Sequence, residues 1–178
     1  MTKDPFPPSG GSPLSSPGLK SGASRGHSVT VRPIQGYEPY PWDLLTLADP
    51  SVPLIKEYLR SGSVFVAELG AKVVGVYVLR GLSPRRGELV NIAVDPDTQG
   101  RGIGTQLVEH CIQTARQRGW ETLEVGTGNS SAGPLALYQK CGFRITSTDR
   151  GFFLRHYPEP ITEDGVPCVD MIRLSRDL

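Results

Sequence analysis

Between Glu88 and Leu107 the chain reads ELVNIAVDPDTQGRGIGTQL, a strand, a glycine-rich turn and a helix start in one continuous piece. Leu89, Val90, Ile92, Ala93 and Val94 make a nearly unbroken apolar run, as expected of a strand buried in the centre of a sheet, and Asp95-Pro96 ends it. Ile103, Leu107, Val108, Cys111, Ile112 and Ala115 then recur at helical spacing, which predicts a helix from Ile103 to about Arg118. Gly100, Gly102 and Gly104 remove the side chains that would hold a ligand off the turn between them. The first amides of a helix have no intrahelical partners and sit at the positive end of its dipole, so a pyrophosphate fits here, with Arg101 adding charge. The order Q-x-x-G-x-G after an Asp-Pro break is neither a dinucleotide-binding G-x-G-x-x-G nor a Walker loop, since Gly104-Thr105-Gln106 lacks the lysine.

A second block, TLEVGTGNSSAGPLALYQKCGFRI, repeats the order strand, turn, helix. Thr122–Val125 is predicted as a strand, Asn129 to Gly133 as a turn, and Pro134 suits a first helical position. Gln99, Gly102 and Gly104 match in register the Q/R-x-x-G-x-G/A signature of the GNAT superfamily of N-acetyltransferases, and Leu-Tyr-x-Lys-x-Gly-Phe around Tyr138 matches that family's second motif. The chain therefore resembles a GNAT acetyltransferase. The stretches YPWDLLTLADPS, GNSSAGPLALYQKCGF and FFLRHYPEPITEDGVPCVDMIRL are similar to a bacterial subgroup of that superfamily, loosely related to aminoglycoside acetyltransferases.

The resemblance implies an α/β fold with a mixed central sheet, helices on both faces, and fourth and fifth strands that splay apart to admit the pantetheine arm of acetyl-CoA. It implies cofactor contacts from Ile92, Ala93, Val94, Gln99, Gly100, Arg101, Gly102, Ile103, Gly104 and Thr105. Asn129 keeps the family's distance from its strand but lies farther from the Tyr138 motif, which leaves either Asn129 or Ser131 as a further contact. Tyr138 is expected to protonate the departing CoA sulfur, and the N–H of Val94 to hold the carbonyl oxygen. Glu88, five residues before Ala93, has the spacing of the catalytic glutamate in the histone acetyltransferase branch; read without the resemblance, it is a strand-end carboxylate paired with Arg85 or Arg86. No metal is required, because a thioester is already activated.

The remaining chain predicts a strand at Val29–Ile34, two short helices over Tyr40–Leu47 and Pro53–Leu59, a hairpin turning at Gly70-Ala71, and late strands from Phe143 through Phe152-Phe153 and over Cys168–Leu174. This element order is that of the GNAT fold, so the expected domain is 28–178. Residues 1–27, mostly Pro, Ser and Gly, have too few apolar side chains to offset the entropy of ordering and read as a disordered tail. The early helices and the last hairpin border the acceptor side in that fold. Tyr37, Tyr40, Trp42, Asp43, Asp49, His156, Tyr157, Glu159 and Asp170 are the candidate acceptor residues, with Tyr40, Trp42, Asp43, His156 and Asp170 put first. Aromatics with carboxylates suit a cationic amine. His110 is read as a surface residue of the cofactor helix.

Net charge of +1 gives no electrostatic reason to expect nucleic acid or a membrane surface as partner, and no apolar run is long enough to span a bilayer. Cys111, Cys141 and Cys168 show neither paired nor zinc-ligand spacing and read as reduced, buried thiols of a cytoplasmic protein. The expectation is an acetyl-CoA-dependent N-acetyltransferase of a small primary amine, with a homodimer left open as its assembly. The alternatives are a protein or peptide amine as acceptor, or an acyl-CoA-binding regulatory domain without catalysis.

Overall fold

In the computed structural model residues 28–178 are described; the tail expected over residues 1–27 lies outside them. A seven-stranded sheet forms the centre. Its strands are β1 (Val29–Pro33), β2 (Ser63–Leu69), β3 (Lys72–Ser83), β4 (Arg86–Val94), β5 (Thr122–Gly128), β6 (Arg144–Asp149) and β9 (Met171–Asp177), in the spatial order β1-β2-β3-β4-β5-β9-β6. All neighbours are antiparallel except β4 and β5. A separate two-stranded hairpin pairs β7 (Ile161–Glu163) with β8 (Val166–Cys168).

Alternation along the strands sends side chains to two cores. Phe65, Tyr77, Leu79 and Leu89 face α3 (Ile103–Gln117) and α4 (Ala132–Lys140), where the apolar stripe of α3 is buried as its spacing predicts. Val64, Val66, Val76 and Val78 face α1 (Trp42–Ala48) and α2 (Val52–Leu59), which contribute Leu44, Leu45, Ile55 and Tyr58. His110 is not a surface residue: it half-buries, and its Nδ1 lies 2.8 Å from the hydroxyl of Tyr77.

Two irregularities of β4 shape the centre of the molecule. The register against β3 slips between Val78↔Asn91 and Leu79↔Leu89, so Val90 is an extra residue and the strand bulges there. Asn91 is thereby turned toward α1 and α2, where its amide donates to Leu45 O at 3.0 Å and to the Tyr58 hydroxyl at 2.8 Å. The parallel ladder with β5 runs from Arg86↔Thr122 only as far as Leu89↔Val125. Beyond it β4 stays with β3 to Val94, while β5 stays with β9 to Gly128, so the two strands part and leave a gap between their C-terminal ends.

The C-terminal region departs from the sequence expectation in two places. The strand expected to run through Phe152-Phe153 stops at Asp149, and Phe152–His156 is a short helix, α5. Gly151 adopts φ +68°, and its N–H is held by Asp170 Oδ1 at 2.7 Å, which turns the chain into the helix. The strand expected over Cys168–Leu174 is cut in two, with Cys168 ending β8 and Met171 starting β9. The cut is made by Asn129, whose Oδ1 accepts the amides of both Val169 and Asp170 at 2.7 and 2.9 Å. Helix α4 also starts earlier than expected, at Ala132, with Pro134 still inside the first turn where a missing N–H costs nothing.

Candidate active site

The gap between β4 and β5 opens into a cleft of about 870 Å³. One wall is the open edge of β4. Asp95 N–H donates to Val74 O at 2.8 Å, toward β3, and backbone groups of successive strand residues point to opposite edges, so those of Val94 and Ile92 face the gap and those of Ala93 face β3. Val94 O receives the Gln99 side-chain amide at 3.1 Å, which ties the turn to the end of the strand.

At the head of the cleft, Pro96–Thr98 forms one 3-10 turn, and Gly100 and Gly102 follow with φ +75° and +78°. These left-handed angles fold the chain back onto the start of α3. The space around both glycines is open, and Gly102 as N-cap offers no side chain to the amides of Ile103, Gly104 and Thr105. Those donors remain available to an anion. Gln99, Gly100, Gly102, Ile103, Gly104 and Thr105 all line the cleft, whereas Arg101 is exposed beside the turn and does not.

Tyr138 projects from α4 into the same space. Its ring is 4% exposed and packs against Phe143, with the ring centres 6.0 Å apart. The hydroxyl has no hydrogen-bond partner among the described residues and is not sealed off, so it opens to the cleft. Burial pushes this phenol well above its ordinary pKa, and it stays protonated at neutral pH.

Of the two candidates that followed β5, Ser131 lines the cleft and Asn129 does not. Both ends of the Asn129 amide are occupied by the chain at 167–170, with Nδ2 donating to Pro167 O at 3.0 Å while Oδ1 takes the two amides named above. The Ser131 hydroxyl donates to Glu163 Oε2 at 2.6 Å, and Ser130 joins it at 2.7 Å, so the β7–β8 hairpin is clasped to the start of α4.

Glu88 stands outside this space, one residue before Leu89, the first β4 residue to line it. The carboxylate is 12% exposed and held by Arg80 at 2.5 Å and Arg173 at 3.2 Å, not by Arg85 or Arg86. Both of its oxygens are therefore engaged by guanidinium groups, which removes the geometric ground for using it as the base.

Of the acceptor residues expected from the sequence, Asp49 and Tyr157 line the cleft and the other seven do not. Trp42 opens α1 and packs into the α2-side core, Tyr40 stacks edge-on against it at 6.3 Å, and Asp43 is exposed in the first turn. His156 is exposed, with its ring stacked on Phe152 at 4.2 Å and Nδ1 at 2.8 Å from Phe152 O. Asp170 is spent on Gly151. The elements expected there are present, but the other end of α1 faces inward: Thr46 through Pro50 line the cleft together with Phe153, Tyr157 and Ile161. Asp49 accepts the Tyr157 hydroxyl at 3.1 Å across this end. Glu163, Cys168 and Met171 complete the wall; they come from the β7–β8 hairpin and the start of β9, and nothing in their spacing advertises it. Cys168, like Cys111 and Cys141, is a free, buried thiol.

Sequence and structure comparisons agree with this geometry. The model of the Acetyltransferase (GNAT) family matches residues 34–143, which spans most of the described chain. The chain belongs to the GNAT acetyltransferase family. The N-acetyltransferase YvbK of Bacillus subtilis is 52% identical over 137 residues, covering 77% of this chain and 88% of that protein. The structure of a GNAT family acetyltransferase from Elizabethkingia anophelis with acetyl-CoA bound superposes with a TM-score of 0.83 at 46% identity, over 84% of this chain and 98% of the other. An IAA acetyltransferase from Bacillus cereus gives a TM-score of 0.81 at 50% identity, over 85% and 100%. This GNAT protein is thus an N-acetyltransferase, with acetyl-CoA as its cosubstrate. The site fits that molecule, with free amides at an open glycine turn for a pyrophosphate and an unpaired strand edge for an amide-bearing arm. Among the described residues no group of His, Cys, Asp and Glu is placed to hold a metal ion, and no helix is long and apolar enough to cross a membrane.

Proposed function

We propose that this N-acetyltransferase acts on a small primary amine that arrives as an ammonium ion. The observation that carries this reading is the charge of the cleft: among the described residues its lining includes two carboxylates, Asp49 and Glu163, and no Lys, Arg or His. A cation is favoured beside carboxylates in a partly enclosed space, and the aromatic faces of Phe153 and Tyr157 add to that preference. The β7–β8 hairpin, clasped through Glu163 to Ser130 and Ser131, adds Ile161, Glu163 and Cys168 to the lining.

Bound acetyl-CoA supplies an activated acyl group as a thioester. The open amides of Ile103, Gly104 and Thr105 anchor its anionic end. Ile92 and Val94 offer backbone groups along the arm, and the Val94 N–H is the donor to the acetyl oxygen. Tyr138 donates its hydroxyl proton to the departing sulfur, for which its unpartnered, protonated state is suited. Direct transfer to the amine follows, with no covalent enzyme intermediate.

The test is thiol release from acetyl-CoA in the presence of a panel of small primary amines, with peptides and folded proteins presented side by side. The expected result is saturable release with one or more small cationic amines. Preference for a folded protein or a peptide N-terminus overturns the acceptor assignment, and acetyl-CoA binding without turnover of any acceptor supports the regulatory-domain alternative.

A further inference from the structure

Resting on the amine-acetylating reading above, we propose that Asp49 receives the acceptor's ammonium group and removes its proton, with Tyr157 and Asn91 as positioning residues. Each of the two carboxylates on the cleft wall is held through one oxygen: Glu163 Oε2 takes the hydroxyls of Ser130 and Ser131 and so belongs to the β7–β8 clasp, whereas Asp49 is joined through Leu45 O to the cofactor strand. Asp49 is held only through Oδ1, which accepts Ser51 N–H at 2.9 Å and the Tyr157 hydroxyl at 3.1 Å. Oδ2 has no hydrogen-bond partner among the described residues and is not a sealed atom, so it is free to meet a donor in the cleft.

The carboxylate is rigidly placed relative to the cofactor strand. Asp49 N–H and the Asn91 amide both donate to Leu45 O, at 3.2 and 3.0 Å. Asn91 is the residue turned toward α1 by the β4 bulge, so the strand whose edge faces the acyl group also fixes the helix end that carries Asp49. Phe153 and Tyr157, with ring centres 5.4 Å apart, give the same end of the cleft an aromatic wall.

The ionisable groups facing Asp49 are Tyr157, just after α5, and Tyr58 from α2, and Cys168 of β8 adjoins Tyr157. None of these is cationic. Burial raises the Asp49 carboxyl above the ordinary aspartate range, while the hydrogen bonds from Ser51 and Tyr157 pull it partly back, a balance that suits a group accepting a proton from an amine.

The step balances simply. Asp49 takes one proton from R–NH3⁺, the freed nitrogen lone pair forms the C–N bond to the acetyl carbon, and the C–S bond breaks. The sulfur leaves with the electron pair and takes the Tyr138 proton. The second nitrogen proton restores Tyr138, and Asp49 passes its proton to solvent. The net reaction yields the N-acetyl amine, free CoA thiol and one proton.

The test uses the full chain with two primary acceptors, a strongly basic alkylamine and the weakly basic 2,2,2-trifluoroethylamine, which is already neutral at pH 7. Asp49→Asn should lower kcat/KM for the alkylamine at pH 7 by roughly 10²- to 10⁴-fold, the range for a lost general base. It should affect the fluorinated amine far less, replace the acidic limb set by Asp49 in the alkylamine profile with a rise that follows the amine's own deprotonation, and leave the acetyl-CoA-induced thermal shift intact. Tyr157→Phe removes a bond that stabilises the carboxylate, so its acidic limb should move to higher pH. Equal losses with both amines, or an alkylamine profile in Asp49→Asn whose acidic limb stays at its native position, overturn the assignment; a native limb lost instead in Glu88→Gln transfers the role to Glu88. Absence of turnover by the unsubstituted protein with every primary amine overturns the acceptor reading itself.

Discussion

Asn129→Ala separates a cofactor contact from a structural clasp at the position where the two are most easily confused. Alanine removes three hydrogen bonds, from Nδ2 to Pro167 O and from the amides of Val169 and Asp170 to Oδ1, at 3.0, 2.7 and 2.9 Å. Each is worth roughly 0.5–1.5 kcal/mol in a folded protein. Asn129 is exposed, so water replaces part of what is lost, and the net cost is about 1–2 kcal/mol. For a domain of this size each kcal/mol lowers Tm by roughly 2–4 °C, which gives a drop of about 2–8 °C. Asn129→Asp keeps the acceptor for the two amides but turns an oxygen toward Pro167 O; it should fall between alanine and the native residue. The assay is a thermal melt with and without acetyl-CoA. The cosubstrate at about 100-fold its Kd stabilises by ~2.7 kcal/mol, and that increment should survive in both variants because Asn129 does not line the cleft. A native melting temperature with the acetyl-CoA increment gone refutes the argument and makes Asn129 a cofactor contact.

Three further outcomes follow from the geometry. Gly102→Val places a β-branched residue at φ +78° over the amides of α3 and should erase the acetyl-CoA-induced thermal shift, as well as costing ~1–2 kcal/mol of stability from the left-handed backbone; an intact shift would place the pyrophosphate elsewhere. Tyr138→Phe should keep the KM for acetyl-CoA while lowering kcat about 10²- to 10⁴-fold, and full turnover would reduce Tyr138 to a packing residue. Gly87→Ala should destabilise by about 1–3 kcal/mol, because a Cβ there meets the Trp120 ring, and the double variant with Trp120→Ala should melt no lower than Trp120→Ala alone.

The sequence by itself determined the cofactor half of this enzyme. The apolar run of β4, the glycines of the turn and the stripe of α3 are all local patterns. Each depends on backbone period, missing Cβ atoms or helix-end amides within about twenty consecutive residues, so they are legible without tertiary contacts. Tyr138 was legible only through the resemblance of its contiguous motif to the family's, since its spacing alone reads as a core tyrosine. For the acceptor half the sequence offered nine candidates, Asp49 and Tyr157 among them, and only the tertiary structure decided which of them meet. That half is assembled from the end of α1, from α5 and from the β7–β8 hairpin, segments more than a hundred residues apart, as the Asp49–Tyr157 pair illustrates. Spacing cannot show which end of a seven-residue helix faces inward. The packing of Trp42 into the α2-side core turned the N-terminal end of α1 away from the cleft and left Asp49, rather than Asp43, beside it. The fates of Glu88, Asn129 and Asp170 share that cause. Each is a polar residue whose partners, Arg80 and Arg173, residues 167–170, and Gly151, are set by strand order and loop closure. A polar side chain is spent by its nearest partners, and in these three cases the fold chose them.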